Sequence, residues 1–195
     1  MAQVTMKAVK ILGADKAEIQ DVPIPEPGEN EVLVKVGYVA LNPIDWYRSR
    51  LWTSISQANL VRRKLNLAYM PVAGSTFGND FYGTVSKLGP SLKKSWSVGD
   101  RILGWVVGNN VVRKDNGAFA EYCAAHAEIG IKVPDGMSDE DAASPPAGIT
   151  TAGFGLFQKL GLALPGEATN NGETVCEILD CSIESRRSEP FGMCD

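Results

Sequence analysis

The chain is poor in the residues that build most metal centres and triads. It has one histidine, His126, and one cysteine, Cys123, ahead of position 176. The other cysteines, Cys176, Cys181 and Cys194, crowd into the tail with a C-x4-C-x12-C spacing that matches no zinc pattern. Cys123 and His126 form a C-x2-H pair that becomes a four-ligand site only by recruiting those tail cysteines. The plainer reading is a small buried thiol on a strand and a surface imidazole. A lone histidine with no nucleophile elbow near it also argues against a Ser-His-Asp triad.

Other absences are as informative. No apolar run approaches the ~20 residues that span a bilayer. The start, MAQVTMKAVKIL, lacks the charged head, unbroken apolar core and cleavage site of a signal peptide. The expectation is a cytosolic (cytoplasmic) protein with no membrane partner. Concentrated positive charge is missing as well: the formal net charge is −4, and Arg62-Arg63-Lys64, Lys93-Lys94 and Arg186-Arg187 are short. Nucleic acid is thereby disfavoured as a partner. No G-x-G-x-x-G occurs anywhere, so the usual phosphate loop of a dinucleotide fold is not in this sequence.

What is present is an ordinary globular composition, 44% hydrophobic and 22% charged over 195 residues. MKAVKIL, residues 6–12, alternates as a strand does. Residues 18–31 carry three prolines at alternate positions, which suits an edge strand running into a turn. EVLVKVGYVALN, residues 31–42, is the strongest strand signal, and simple alternation puts Val32, Val34, Val36 and Tyr38 on one face. A short helix is expected at Asn42-Pro43, and a partly helical excursion over 53–70. DFYGTVSKL, SVGDRILGWVVG, GAFAEYCAA and EIGIKVP supply further short strands between glycine and proline turns. That spacing points to an antiparallel barrel or sandwich. Later, SDEDAA over 138–143 is close to a capping box. Helix is expected to run past Pro145-Pro146 to residue 162, with Ile149, Phe154, Phe157 and Leu160 sharing a face. Residues 164–173 read as a polar linker, and a disordered tail is expected from Cys176.

Six segments, ALNPIDWYR, GNDFYGTV, VGDRIL, GAFAEYC, IKVPDGMSDEDAA and ITTAGFGL, occur in the order found in zinc-independent medium-chain dehydrogenase/reductases. This group includes quinone oxidoreductase-like proteins. The wording of NPIDW and PPAGITTAGFGLFQKLGLALPG resembles fungal trans-acting enoyl reductases of polyketide pathways. The resemblance covers about residues 5–175. It implies a mainly β fold with short helices, a GroES-like, partly open β-barrel that forms the N-terminal catalytic domain over 1–165. It also implies NADPH as cofactor and, as partner, an α,β-unsaturated acyl thioester on a polyketide synthase carrier domain. Where zinc-using relatives carry a His-Glu pair, this chain has Asn79-Asp80, and Asn42-Pro43 replaces the cysteine region. The expectation is that there is no metal.

The resemblance also assigns residues. Asn42, Asp45, Trp46, Tyr47 and Arg48 match the stretch near the nicotinamide ribose and substrate. Tyr47 stands where relatives often have lysine, and a tyrosine there is a candidate proton donor. The alternative is that Asn42-Pro43 simply starts a helix and Trp46 packs into the core. Ser144, Pro145, Pro146, Ala147, Gly148, Ile149, Thr150 and Thr151 match the segment lining the acyl and nicotinamide pocket, with Thr151 as the second catalytic candidate. The competing reading has Thr150 and Thr151 bonding back to helix carbonyls. Asp80 reads as a structural acceptor, and Gly78 and Gly83 as servants of backbone geometry.

Resemblance stops at Val175. Glu177 and Asp180 do not suit a strand buried on both faces. Residues 166–195 are therefore read as a linker, a remnant of a first Rossmann strand and an unrelated tail from a frameshift or retained intron. On this reading the Rossmann domain is absent and the truncated chain is impaired or inactive. Two rivals stay open: a non-catalytic GroES-like interaction module and a quinone oxidoreductase. The oligomeric state is not legible.

Overall fold

The computed structural model describes residues 4–13, 16–45 and 72–164. The expected helical excursion over 53–70, Trp46, Tyr47, Arg48 and the tail from Cys176 lie outside the described residues, as does the linker beyond residue 164. The chain divides into two compact units, Met1–Ala152 and Gly153–Asp195.

The first unit is built on antiparallel strands. β1 (Thr5–Gly13) and β2 (Lys16–Pro23) form a hairpin. β3 (Glu31–Ala40), β4 (Asp80–Leu88), β5 (Arg101–Trp105), β6 (Tyr122–His126) and β7 (Ile131–Lys132) form a five-stranded sheet in the order β6-β3-β4-β5-β7. β6 pairs with β3 only from Glu31 to Lys35. The chain before β6 then crosses to β1, where the Val9 N–H donates to the Phe119 carbonyl at 2.8 Å and Ala8 bridges Ala120. Two antiparallel sheets stitched in this way make the mainly β, barrel-like architecture that the strand spacing led us to expect.

Alternation explains the core. Val32 and Val34 on β3, Phe81 and Val85 on β4, Ile102 on β5 and Cys123 and Ala125 on β6 face a dry cluster closed by Trp96. The indole N–H donates to the Ala127 carbonyl at 2.9 Å, so the ring is buried without an orphan donor. On the opposite face, Tyr82, Leu103 and Val133 pack against Ala142 and Ala143 of α1 (Asp139–Ala143).

Two local expectations need correction. Tyr38 does not share the face of Val32 and Val34. Val36 pairs with Gly83 but Tyr38 pairs with Tyr82, so Gly37 is one extra residue on β3. A bulge shifts the alternation by one and sends Tyr38 to the other face, its ring 6.2 Å from that of Tyr82. Nor does one helix run from 139 to 162. α1 stops at Ala143, α2 spans Pro146–Gly153, and Phe154–Lys159 is a π-helical turn. Pro145 and Pro146 lack the N–H groups that would continue α1, and Pro146 instead starts a new helix, a place proline suits. Ile149, Phe154 and Leu160 are 60%, 50% and 62% exposed, so they do not form a buried helical stripe.

Candidate functional site

A buried polar knot sits at the end of the β3–β4 pair. Chain order alone would not assemble it. Residues 43–45 are helical, and Asp45 reaches back so that its Oδ2 accepts the Asn42 N–H at 2.8 Å. This is a capping-box arm, an acidic side chain returning to the residue before the helix. Asn42 itself does not cap with its side chain. Its Nδ2 donates instead to Asp80 Oδ2 at 2.9 Å. Asn79 Nδ2 donates to Asp45 Oδ1 at 2.6 Å, and Asn79 Oδ1 accepts the Gly108 N–H at 3.3 Å. The second oxygen of Asp80 accepts the Ala147 N–H at 3.0 Å. One carboxylate thus joins the turn after β3 to the first turn of α2.

The electrostatics follow from burial. Asp80 is 0% exposed. Desolvation raises its pKa, the Asn42 amide and the Ala147 N–H oppose that rise, and the Asp45 charge adds to it. A buried polar residue at the head of an apolar strand is costly unless its partners are supplied, and here they are. Asp80 was read from the sequence as a structural acceptor, and its bonds bear that out. The sequence did not reveal that its donors come from both candidate segments. The signal was available in GNDFYG, where two polar residues stand directly before Phe81.

A second polar cluster pins α1. Arg101 Nε donates to the Tyr82 hydroxyl at 2.9 Å, and its Nη2 donates to Asp139 Oδ1 at 2.7 Å and to the Met137 carbonyl at 2.8 Å. The bond to Tyr82, with help from Arg101, lowers the Asp139 pKa. A hydrogen bond to Glu140 raises that of Tyr38.

Of the residues assigned by resemblance, Asn42, Asp45 and Ala147 meet through Asp80. Pro146 is buried, while Pro145 and Ala147 are half-buried. Ser144 caps the end of α1, and Gly148 and Ile149 are exposed. The Thr150 hydroxyl donates back to the Pro146 carbonyl at 2.8 Å, so this threonine serves the helix. Thr151 is exposed and makes no side-chain hydrogen bond among the described residues. Gly78 and Gly83 serve backbone geometry as read. Gly78 has φ +88° and a side chain there would enter the Phe119 ring, while one at Gly83 would lie 2.2 Å from the Lys35 carbonyl oxygen.

Cys123 is buried, and burial drives its thiol pKa far up. His126, three residues on, is exposed, so the pair does not converge. Among the described residues no group of three or more His, Cys, Asp or Glu side chains is placed to hold a metal ion. Among the same residues no helix is long and apolar enough to cross a membrane. A groove of about 410 Å³, lined by Val9, Ile19, Val36, Val39, Leu41 and Phe119 among others, runs up to the residue before Asn42.

The geometry can be compared with known proteins. The trans-enoyl reductase traG of Penicillium crustosum is 39% identical over 164 residues, 84% of this chain and 40% of that protein. The trans-enoyl reductase caaB of Aspergillus niger is 40% identical over 158 residues, 80% of this chain and 38% of that protein. The chain therefore spans about two fifths of the length of these curated relatives. Among solved structures, the human synaptic vesicle membrane protein VAT-1 homolog-like protein aligns with a TM-score of 0.63 at 28% identity, covering 82% of this chain and 45% of that one. The quinone oxidoreductase of Coxiella burnetii aligns with a TM-score of 0.57 at 28% identity, covering 81% and 45%. The model of the alcohol dehydrogenase GroES-like domain matches residues 28–135, which include β3 to β7 and the Asn42, Asp45, Asn79 and Asp80 knot. With more than half of its length matched and its fold in agreement, the chain belongs to the alcohol dehydrogenase GroES-like domain family.

Proposed function

We propose that this chain carries the catalytic domain of an NADPH-dependent enoyl reductase acting on α,β-unsaturated polyketide acyl thioesters held on a synthase carrier domain. The observation that carries this reading is the convergence of Asn42 and Ala147 on Asp80, in a chain whose curated relatives are named trans-enoyl reductases. The nicotinamide end of the cofactor fits what is present. Asn42 Oδ1 has no partner among the described residues and suits a ribose or carboxamide. NADPH supplies the hydride when bound.

The chain's own groups have two tasks. Reduction of an enoyl thioester places negative charge on the thioester oxygen as the β-carbon gains hydride, and a hydroxyl donor stabilises it. Thr151 is assigned that donor role. The α-carbon then takes a proton, which Tyr47 is assigned to deliver. Asp45, Trp46 and Arg48 complete the cofactor-side segment. The apolar groove below Leu41 suits the hydrocarbon part of the acyl group.

The test is turnover of crotonyl-N-acetylcysteamine thioester, with a simple benzoquinone as competitor substrate, in excess NADPH. The excess is needed because the sequence has no G-x-G-x-x-G. The expected result is preference for the thioester, with Thr151→Ala lowering kcat about a hundredfold, the low end of what one oxyanion donor contributes. Preference for the quinone would replace this reading with the rival one.

A further inference from the structure

We infer that Asp80 is a positioning residue that fixes the polarity of Asn42, turning its Nδ2 inward and leaving Oδ1 as an acceptor for a hydroxyl or amide donor on the ligand. The inference rests on the reading above for what the ligand is, and on the hydrogen-bond network alone for the orientation.

A carboxamide side chain has one donating and one accepting end, and its neighbours decide which way it turns. An ionised carboxylate only accepts. Asp80 meets two donors, Asn42 Nδ2 at 2.9 Å on one oxygen and the Ala147 N–H at 3.0 Å on the other. The Asn42 backbone is held independently, through the Asp45 carboxylate that Asn79 in turn orients. With main chain and Nδ2 both committed, Oδ1 is the remaining polar atom, and it has no partner among the described residues. Such an atom attracts a ribose hydroxyl or a carboxamide N–H2. It repels a phosphate or carboxylate, because two acceptors face each other. The knot therefore favours a hydroxyl- or amide-bearing part of a cofactor, such as the nicotinamide riboside of the reading above, over its phosphates.

Asp80→Asn reverses this polarity without emptying the site. The new amide must turn its oxygen to the Ala147 N–H, so its nitrogen faces Asn42. Asn42 then flips, Oδ1 inward and Nδ2 outward. Adding Asn42→Asp restores an accepting outer face. The experiment follows side-chain amide exchange by NMR in the 195-residue chain, together with titration by reduced nicotinamide mononucleotide. In the wild type the Asn42 side-chain amide protons are expected to be protected. In Asp80→Asn the chain folds, that protection is lost, and affinity for the mononucleotide falls about tenfold, the equivalent of one hydrogen bond. The double variant Asn42→Asp/Asp80→Asn regains the affinity, which a merely structural role for Asp80 does not predict. Unprotected Asn42 amide protons in the wild type, or a double variant no tighter than the single one, overturn the inference. A wild type that shows protected Asn42 protons yet binds no mononucleotide sinks the functional reading and leaves the orientation standing.

Discussion

The two ends of the β3–β4 pair are chemically opposite. At one end Val34 pairs with Val85, both essentially inaccessible, in a cluster whose only side-chain heteroatoms among the described residues are the Cys123 sulfur and the satisfied Trp96 nitrogen. At the other end Ala40 pairs with Asp80, and within a few residues Asn42, Asp45, Asn79 and Asp80 form a connected set of hydrogen bonds. Val34 and Val85 at one end and Asp45, Asn79 and Asp80 at the other are all buried, so burial of these side chains does not separate the two ends. They differ in what each stabilises: apolar contact holds the sheet together, and directional bonds hold loops from distant parts of the chain in fixed relation. A dry end tolerates small shifts if volume is kept, whereas a polar knot fails when one partner is lost. Between the two lie Gly37 and Gly83, where β3 changes phase.

The largest effect expected from disturbing this arrangement is at Gly83. A Cβ there would stand 2.2 Å from the Lys35 carbonyl oxygen and 2.6 Å from Val34 Cγ1. The first is backbone in the paired strand and cannot swing aside. Gly83→Ala is expected to cost about 3 kcal/mol, the upper range for overpacking, read as a lowered urea midpoint. Loss of β3–β4 amide protection at both ends would show that the two ends are one cooperative unit. Loss confined to one end would show that the glycine pair separates them.

The contrast also shows which features were legible. The antiparallel β character, the strand positions and the inward face of Val32 and Val34 follow from alternation and from glycine and proline punctuation, because each is set by near neighbours along the chain. The cap of α1 was equally local: Ser138 Oγ accepts the Asp141 N–H at 3.1 Å, as SDEDAA implied. The start of α2 was not legible, because its donor at Ala147 is met by a carboxylate 67 residues earlier. The face of Tyr38 was misread because one inserted residue, Gly37, reverses alternation and leaves no compositional trace. Asp80 could be identified as an acceptor but not as the junction of two candidate segments. Pairwise geometry across the sheet supplies that, and no periodicity in the sequence encodes it.

A smaller effect sharpens the polar end. Burial raises the Asp80 pKa in the folded chain, so its protonated form is favoured there relative to the unfolded chain. The stability associated with this group is therefore fully present below the ordinary carboxylate pKa and is lost as pH rises through the raised folded value. Asp80→Asn cannot ionise. Its stability relative to the wild type is expected to improve on going from acid to neutral pH, measured as paired urea midpoints across that range. The opposite slope would mean that the Asn42 and Ala147 donors outweigh desolvation and that the carboxylate is a net stabiliser when charged.

The smallest expected effect lies outside both ends and serves as their control. α1 holds Ala142 and Ala143 against Tyr82, on the face of β4 away from the dry cluster. Its cap is the Ser138 hydroxyl, which accepts the Asp141 N–H and donates to Asp141 Oδ2 at 2.7 Å. Ser138→Ala removes that acceptor from an exposed first turn, where water replaces part of what is lost. The cost is expected to be about 1 kcal/mol or less. Hydrogen exchange should rise in Asp139–Ala143 while β3, β4 and the Asn42 amide keep their protection. If exchange at Ala147 rises as well, α1 and α2 move together across Pro145, and the Asp80 bond alone does not hold the start of α2. In that case the two-ended view of the β3–β4 pair has to include the helices as a third cooperative element.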